Sequence, residues 1–204
     1  MAFVIGISAP PGGGKSSLAQ ALAKRLGNAT TIHFDAYEQI TSSPMHDISD
    51  WMRRGADFNE FDIQKLSEDL KRIKSGQSIT ESNETFEILP PHYVLFETLF
   101  GREHEASGRF IDRLIWIDVP LDLALARKLL DFTDPEPDEG VGQNADSTLM
   151  WLRGYLGHYV QATRGLLMMQ KERIALTADL TLNGTLDLTT LVEQATRDIL
   201  DHLG

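Results

Sequence analysis

Apolar residues concentrate in short, nearly unbroken runs separated by amphipathic stretches. Phe3-Val-Ile-Gly-Ile7, Tyr93-Val-Leu-Phe-Glu97 and Leu114-Ile-Trp-Ile-Asp118 carry apolar residues on both parities. That pattern predicts strands buried on both faces of a parallel sheet. Thr30-Thr-Ile-His-Phe34 and Leu180-Thr-Leu182 predict two further strands. Between them the spacing turns helical. Leu18, Leu22 and Leu26 line one face of Ser16–Leu26, and Gly27 stops it; Ile63, Leu66, Leu70 and Ile73 do the same for Phe61–Lys74, which ends at Ser75-Gly76. Helices are also predicted over Leu121–Leu130, around Thr148–Arg173 and over Leu188–Leu203.

Three stretches fall outside this alternation. Residues 35–60 are irregular, residues 77–91 are polar and β-prone with a hairpin as one reading, and residues 131–146 read as a loop rich in Asp, Glu, Pro and Gly. Strand and helix in alternation predict an α/β fold of three layers, a mostly parallel sheet flanked by helices. Residues 1–204 form one expected domain, with an excursion over 35–92 and a lid region over 131–165.

Composition narrows the partners. Thirty Asp and Glu against 19 Lys and Arg leave a net charge of -11, which argues against a nucleic-acid partner, since phosphate backbones are held by clustered cations. Local phosphate binding stays open, because backbone amides and one or two cations suffice. With no Cys in the sequence there is no thiolate metal site or thiol nucleophile. No apolar run reaches membrane-spanning length, and the first residues lack the features of a signal peptide. A cytoplasmic location without membrane association is expected.

The most specific segment is Ala9-Pro-Pro-Gly-Gly-Gly-Lys-Ser16, a P-loop pattern with Ala at its first position. Pro11, Gly12, Gly13, Gly14, Lys15, Ser16 and Ser17 are the expected nucleotide-binding residues. The glycines let successive N–H groups turn inward around a phosphate, and the next helix points its positive end there. Lys15 should reach the β- and γ-phosphates, and the Ser16 hydroxyl should ligate Mg2+. Asp35 lies just past the second predicted strand, where ligands of open parallel sheets bind, and is the expected catalytic carboxylate. Glu97, one acid closing an apolar strand, has the Walker B layout and is a second candidate metal residue.

These segments resemble the uridine kinase, phosphoribulokinase and bacterial pantothenate kinase group of P-loop kinases. The P-loop, Phe34-Asp35-Ala-Tyr37, Glu97, the Phe58–Gly76 stretch and Ile117–Lys128 follow in that family's order. The resemblance implies phosphoryl transfer from ATP, with Mg2+, to a hydroxyl of a small-molecule acceptor. Lys15 would handle phosphates, Asp35 would be the general base with Tyr37 beside it, and Arg127 would open a basic lid segment near the nucleotide. The chain departs from the family at three places. Thr98 follows Glu97 where Gly is common, residues 77–91 lack the Pro-x-Tyr-Asp pattern that grips a nucleoside, and the lid carries Asp134, Glu136, Asp138 and Glu139 instead of arginines. Arg153 or Arg164 would then supply the missing cations.

For the acceptor, Arg53, Arg54 and Asp57 in Asp50-Trp-Met-Arg-Arg-Gly-Ala-Asp57 are candidates, with a solvated helix over a buried Trp51 as the alternative. His92 and Arg102 are weaker candidates. A sugar, a pantothenate-like acid and a nucleoside all stand as acceptors, and a homodimer is left open. The alternative is a nucleotide-switched regulator or ATPase acting with a protein partner. Against a GTPase, the chain has no Asn-Lys-x-Asp segment.

Overall fold

The computed structural model describes residues 1–38, 48–61, 63–80, 88–133 and 145–203. The five expected strands are present: β1 (Phe3–Ser8), β2 (Ala29–His33), β3 (Tyr93–Glu97), β4 (Arg113–Asp118) and β5 (Leu180–Asn183). All their pairings are parallel, in the order β2-β3-β1-β4-β5. The apolar runs divide by parity. Val4, Val94, Phe96, Leu114 and Trp116 enter one core, and Ile5, Ile7, Leu95, Ile115 and Ile117 the other. Both faces are covered, which is why these strands show no polar alternation.

Helices α1 (Lys15–Leu26) and α9 (Leu188–Leu203) cover one face, with Leu18, Leu22, Leu191 and Ile199 buried. The other face takes α4 (Gln64–Lys74), α5 (Glu105–Gly108) and α8 (Arg164–Thr177), among which Leu66, Leu70, Ile73 and Ile174 are fully buried. Short helices α2 (Asp35–Glu38) and α3 (Ile48–Arg53) belong to the excursion, while α6 (Leu121–Thr133) and α7 (Ala145–His158) stand on either side of residues 134–144 in the sequence.

Several elements differ from the sequence reading: residues 35–60, expected to be irregular, contain α2, α3 and a 3-10 turn, and α6 runs on to Thr133. The helix expected from Phe61 begins at Gln64, because Phe61 is drawn into an aromatic cluster instead. Its ring stacks on Phe100 at 4.7 Å and meets Trp51 edge-on at 5.7 Å. A 3-10 turn (Phe58–Glu60) precedes it, with the Asp57 side chain accepting from the Asn59 N–H. The long helix near 148–173 runs instead from α7 to α8 through a π-helical turn, Tyr159–Thr163. Within the polar 77–91 stretch Ile79 pairs antiparallel with Ile88; residues 81–87, and residues 134–144 of the expected acidic lid, lie outside the described residues.

Ion pairs fasten the amino edge of the sheet, the side away from the strand ends that carry Asp35 and Glu97. Asp112 accepts from the Val4 N–H and from Lys74 at 2.6 Å. Asp179 accepts from Arg102 at 2.6 Å and from the Leu114 N–H at 2.7 Å. Burial raises the Asp179 pKa, but the hydrogen bonds from Arg102 and Leu114 and the charges of Arg102 and Arg113 outweigh it, so the net shift is downward. A carboxylate whose folded pKa lies below its unfolded value contributes stability at neutral pH that disappears as pH falls through the folded value. Arg102→Ala should therefore cost about 2 kcal/mol near neutrality, and the gap from wild type should narrow below about pH 4, the remainder being the Arg102 bonds to the Thr177 and Asp112 carbonyls. Thermal melts across pH check this; a gap that stays constant with pH would contradict it.

Candidate active site

The strand registers bring the candidate residues together. Glu97 of β3 stands opposite Ile7 of β1 and His33 of β2, so the loops after β1 and β2 leave the sheet at the level where β3 ends. In parallel sheets this carboxyl edge is where ligands bind. A cavity of about 250 Å3 opens there, lined by Lys15, Ser16, His33, Phe34, Asp35, Glu97, Thr98 and Leu99.

The phosphate loop is constrained from several sides. Gly14, at the N-terminus of α1, has φ 90°, which a side chain would disfavour, and offers no capping side chain to the first helical amides. An oxyanion would take that place. Gly12 also has positive φ, and a Cβ on it would lie 2.0 Å from the Ala124 carbonyl oxygen of α6. Thus the loop packs backbone to backbone against α6. The Gly13 N–H donates to Pro10 O at 2.9 Å and closes the turn.

Lys15 is partly buried, and its ammonium donates to Ala9 O at 3.0 Å. Desolvation lowers its pKa; the charges of Glu97 and Asp35 push the other way, and Lys128 adds to the lowering. The Ser16 hydroxyl donates to Glu97 Oε2 at 2.7 Å, and His33 Nδ1 lies 2.9 Å from Glu97 Oε1. Burial pushes the Glu97 carboxyl up, but His33, Ser16 and Lys15 together bring it below its ordinary value. It is therefore a carboxylate at neutral pH. A hydroxyl and a carboxylate side by side are hard oxygen donors of the kind Mg2+ takes, and Mg2+ commonly adds substrate phosphates and waters to one or two such groups. Among the described residues there is no cluster of three or more His, Asp or Glu that would hold a metal without a substrate. The residues present fit a metal that arrives with a nucleotide.

Asp35 opens α2 and is exposed on the cavity wall. Ser17 is exposed in the first turn of α1, and Pro11 faces Leu121, Ala124, Lys128 and Tyr159 across a small gap. Arg127 donates to Gly184 O at 3.0 Å, tying α6 to the turn after β5.

The acceptor candidates fare differently. Tyr37 is fully buried, its hydroxyl donating to Asp69 at 3.0 Å, and is a core residue rather than a cavity wall. Arg53 pairs with Asp50, and Arg54 with Asp50 and Glu60, on an exposed surface over the buried Trp51, so the solvated-helix alternative describes this segment. Asp57 is occupied capping the 3-10 turn. His92 and Arg102 lie at the amino edge of the sheet: the His92 carbonyl accepts from the Phe3 N–H, and Arg102 binds Asp179, Thr177 O and Asp112 O. Neither lines the cavity.

Two residues of the site were not singled out in the sequence. His33 lies in a predicted strand and was given no role there. Lys128, next to Arg127, lies close enough to Lys15 to lower its pKa, and only the packing of α6 on the phosphate loop reveals it. Thr98 also has a clear role where Gly is common. Its hydroxyl accepts from the N–H groups of Phe100 and Gly101, both at 3.1 Å, and shapes the loop leaving β3.

Among solved structures, the chain superposes on shikimate kinase from Acinetobacter baumannii in complex with shikimate with a TM-score of 0.56, over 99% of this chain and 95% of that one, at 16% identity. A sugar kinase from Janibacter sp. HTCC2649 gives 0.51 over 98% and 95%, at 14% identity. This is the P-loop kinase fold. No family model matches the sequence. The chain with this P-loop kinase fold is 26% identical over 139 residues to the uridine kinase of Borrelia duttonii (strain Ly), covering 63% of the chain and 66% of that protein. It is 25% identical over 149 residues to the uridine kinase of Staphylococcus haemolyticus (strain JCSC1435), covering 62% and 67%. The match therefore spans just under two thirds of the first relative's length. No described helix is long and apolar enough to cross a membrane.

Proposed function

We propose that this protein transfers the γ-phosphoryl group of ATP to a hydroxyl of a small metabolite. The observation that carries the reading is the convergence of Lys15, Ser16, Asp35 and Glu97 on one cavity at the carboxyl edge of the sheet. The likeness to uridine kinases and the fold shared with shikimate and sugar kinases support the same class.

The phosphate loop amides and the amino end of α1 hold the nucleotide's phosphates. Lys15 places its charge beside the oxygens that gain negative charge during transfer. Ser16 and Glu97 would hold Mg2+, which when bound would offset phosphate charge. His33 fixes one Glu97 oxygen, leaving the carboxylate little freedom to swing. Asp35 accepts the proton of the attacking hydroxyl; that oxygen bonds to the γ-phosphorus as the bond to the bridging oxygen breaks, and ADP leaves. Arg127 and Lys128 sit on the helix abutting the phosphate loop, where they would face the nucleotide.

ADP release measured with ATP and Mg2+ against a panel of nucleosides, sugars, polyols and sugar acids tests the reading. One acceptor class should raise turnover at least about tenfold above the rate with water alone, as expected when a positioned hydroxyl replaces solvent. Stimulation by a protein partner and by no small molecule would instead support a nucleotide-switched regulator.

A further inference from the structure

The distribution of cations narrows the acceptor. All 19 Lys and Arg residues of the sequence lie among the described residues, so the position of each is known. Segments 39–47 and 81–87 of the excursion contain Asp47, Glu81, Glu84 and Glu87 but no Lys or Arg.

Lys15 is the one Lys or Arg among the residues lining the cavity, and it is turned onto the phosphate loop. Several cations of the excursion and of α8 have partners of their own. Arg53 and Arg54 pair with Asp50 and Glu60. Lys65 lies 2.6 Å from Asp69 Oδ1. Arg173 donates to the carbonyls of Ala56 and Gly55 and lies over the Phe58 ring. Lys171 pairs with Asp118 at 2.6 Å. The cavity presents the exposed carboxylate of Asp35, with Glu97 engaged by Ser16 and His33 and the side chains of Phe34 and Leu99 as apolar walls.

Resting on the kinase reading above, we infer that the acceptor is an uncharged polyhydroxyl compound, bearing neither a carboxylate nor a phosphate. An anionic acceptor would enter beside Asp35 and the nucleotide's own phosphates, whose charge Lys15, Lys128 and the metal held by Ser16 and Glu97 would already be engaged in offsetting. Like charges brought together in a partly desolvated site are strongly disfavoured. Hydroxyls suit the site instead, since carboxylates and imidazole hydrogen-bond them without needing a counter-charge.

Matched pairs test this. ADP release is compared for glucose and glucuronate, ribose and ribose 5-phosphate, and uridine and uridine monophosphate, at low ionic strength. The neutral member of the productive pair should exceed its anionic counterpart in kcat/KM by on the order of tenfold or more, with the ratio shrinking as salt is added. An anionic member that equals or exceeds its neutral counterpart overturns the inference while leaving the kinase reading intact. No stimulation by any compound overturns the kinase reading and the inference with it. Calorimetric binding to Asp35→Asn in the presence of a non-hydrolysable ATP analogue supplies a readout independent of turnover. There the anionic member should gain affinity relative to the neutral one by several-fold; an unchanged ratio means that the cavity's charge does not select the acceptor.

Discussion

Asp35→Asn is expected to lower phosphoryl transfer by about a hundredfold to ten-thousandfold, the range associated with a positioned general base. ATP affinity should stay close to that of the wild type. The substitution keeps size and hydrogen-bonding shape but removes the ability to take up a proton. Asp35 is exposed at the start of α2 and lines the cavity with Lys15 and Ser16, so its loss should leave the fold unaffected. Its charge acts on Lys15, and removing it leaves the phosphate end of the site slightly more positive. Nucleotide titration followed by fluorescence, alongside steady-state turnover, separates the two effects. Undiminished turnover would remove Asp35 from the chemistry, while a parallel fall in ATP affinity would make it a binding residue.

Lys15→Ala should have the opposite signature: ATP affinity falls by roughly tenfold to a hundredfold, the worth of a charge-assisted hydrogen bond to phosphate. The apo protein should be as stable as wild type or more so. Desolvation holds the Lys15 pKa below its ordinary value, despite Glu97 and Asp35. A lysine with a depressed folded pKa makes the charged form costly in the folded state; that penalty is present at neutral pH and fades as pH rises toward about 10.4. Removing the side chain relieves the penalty. Differential scanning with and without ATP reads both quantities: an unshifted or higher apo Tm, and a lost nucleotide-induced rise. A large drop in apo Tm would assign Lys15 a structural role, and an unchanged nucleotide shift would sink the phosphate-loop argument.

The chain's pattern made the sheet and the phosphate loop readable, because both depend on local composition. Five runs of suitable length became five strands, and Gly12 and Gly14 occupy backbone conformations that their type favours. The acceptor side was far less readable. Arg53, Arg54 and Asp57 look like ligand-binding groups in sequence, yet each finds a partner within a few residues in the fold. Arg102 follows β3 closely in sequence, but the chain turns back at Thr98 and Gly101 and carries it to the amino edge beside Asp179. Tyr37 stands two residues from Asp35, and one short helical turn directs it into the core toward Asp69. His33 was invisible for the converse reason. Its partner is 64 positions away in the chain and meets it only through strand register.

The wide turn at Tyr159–Thr163 has a consequence for the region beyond it. A π-helical turn is equivalent to one extra residue in an otherwise regular helix, and one residue of α-helix is about 100° of rotation. The turn therefore sets α7 and α8 out of phase with each other. α8 presents Leu167 and Ile174 to the core, while α7 presents Trp151 and Tyr155 to Phe132 of α6. Deleting one residue within the turn would restore a regular helix and swing that aromatic group about a quarter-turn away from α6, with no strand disturbed. The orientation of the aromatics on α7 is thus set by the one extra residue of this turn, a length that could change without altering the sheet's carboxyl edge.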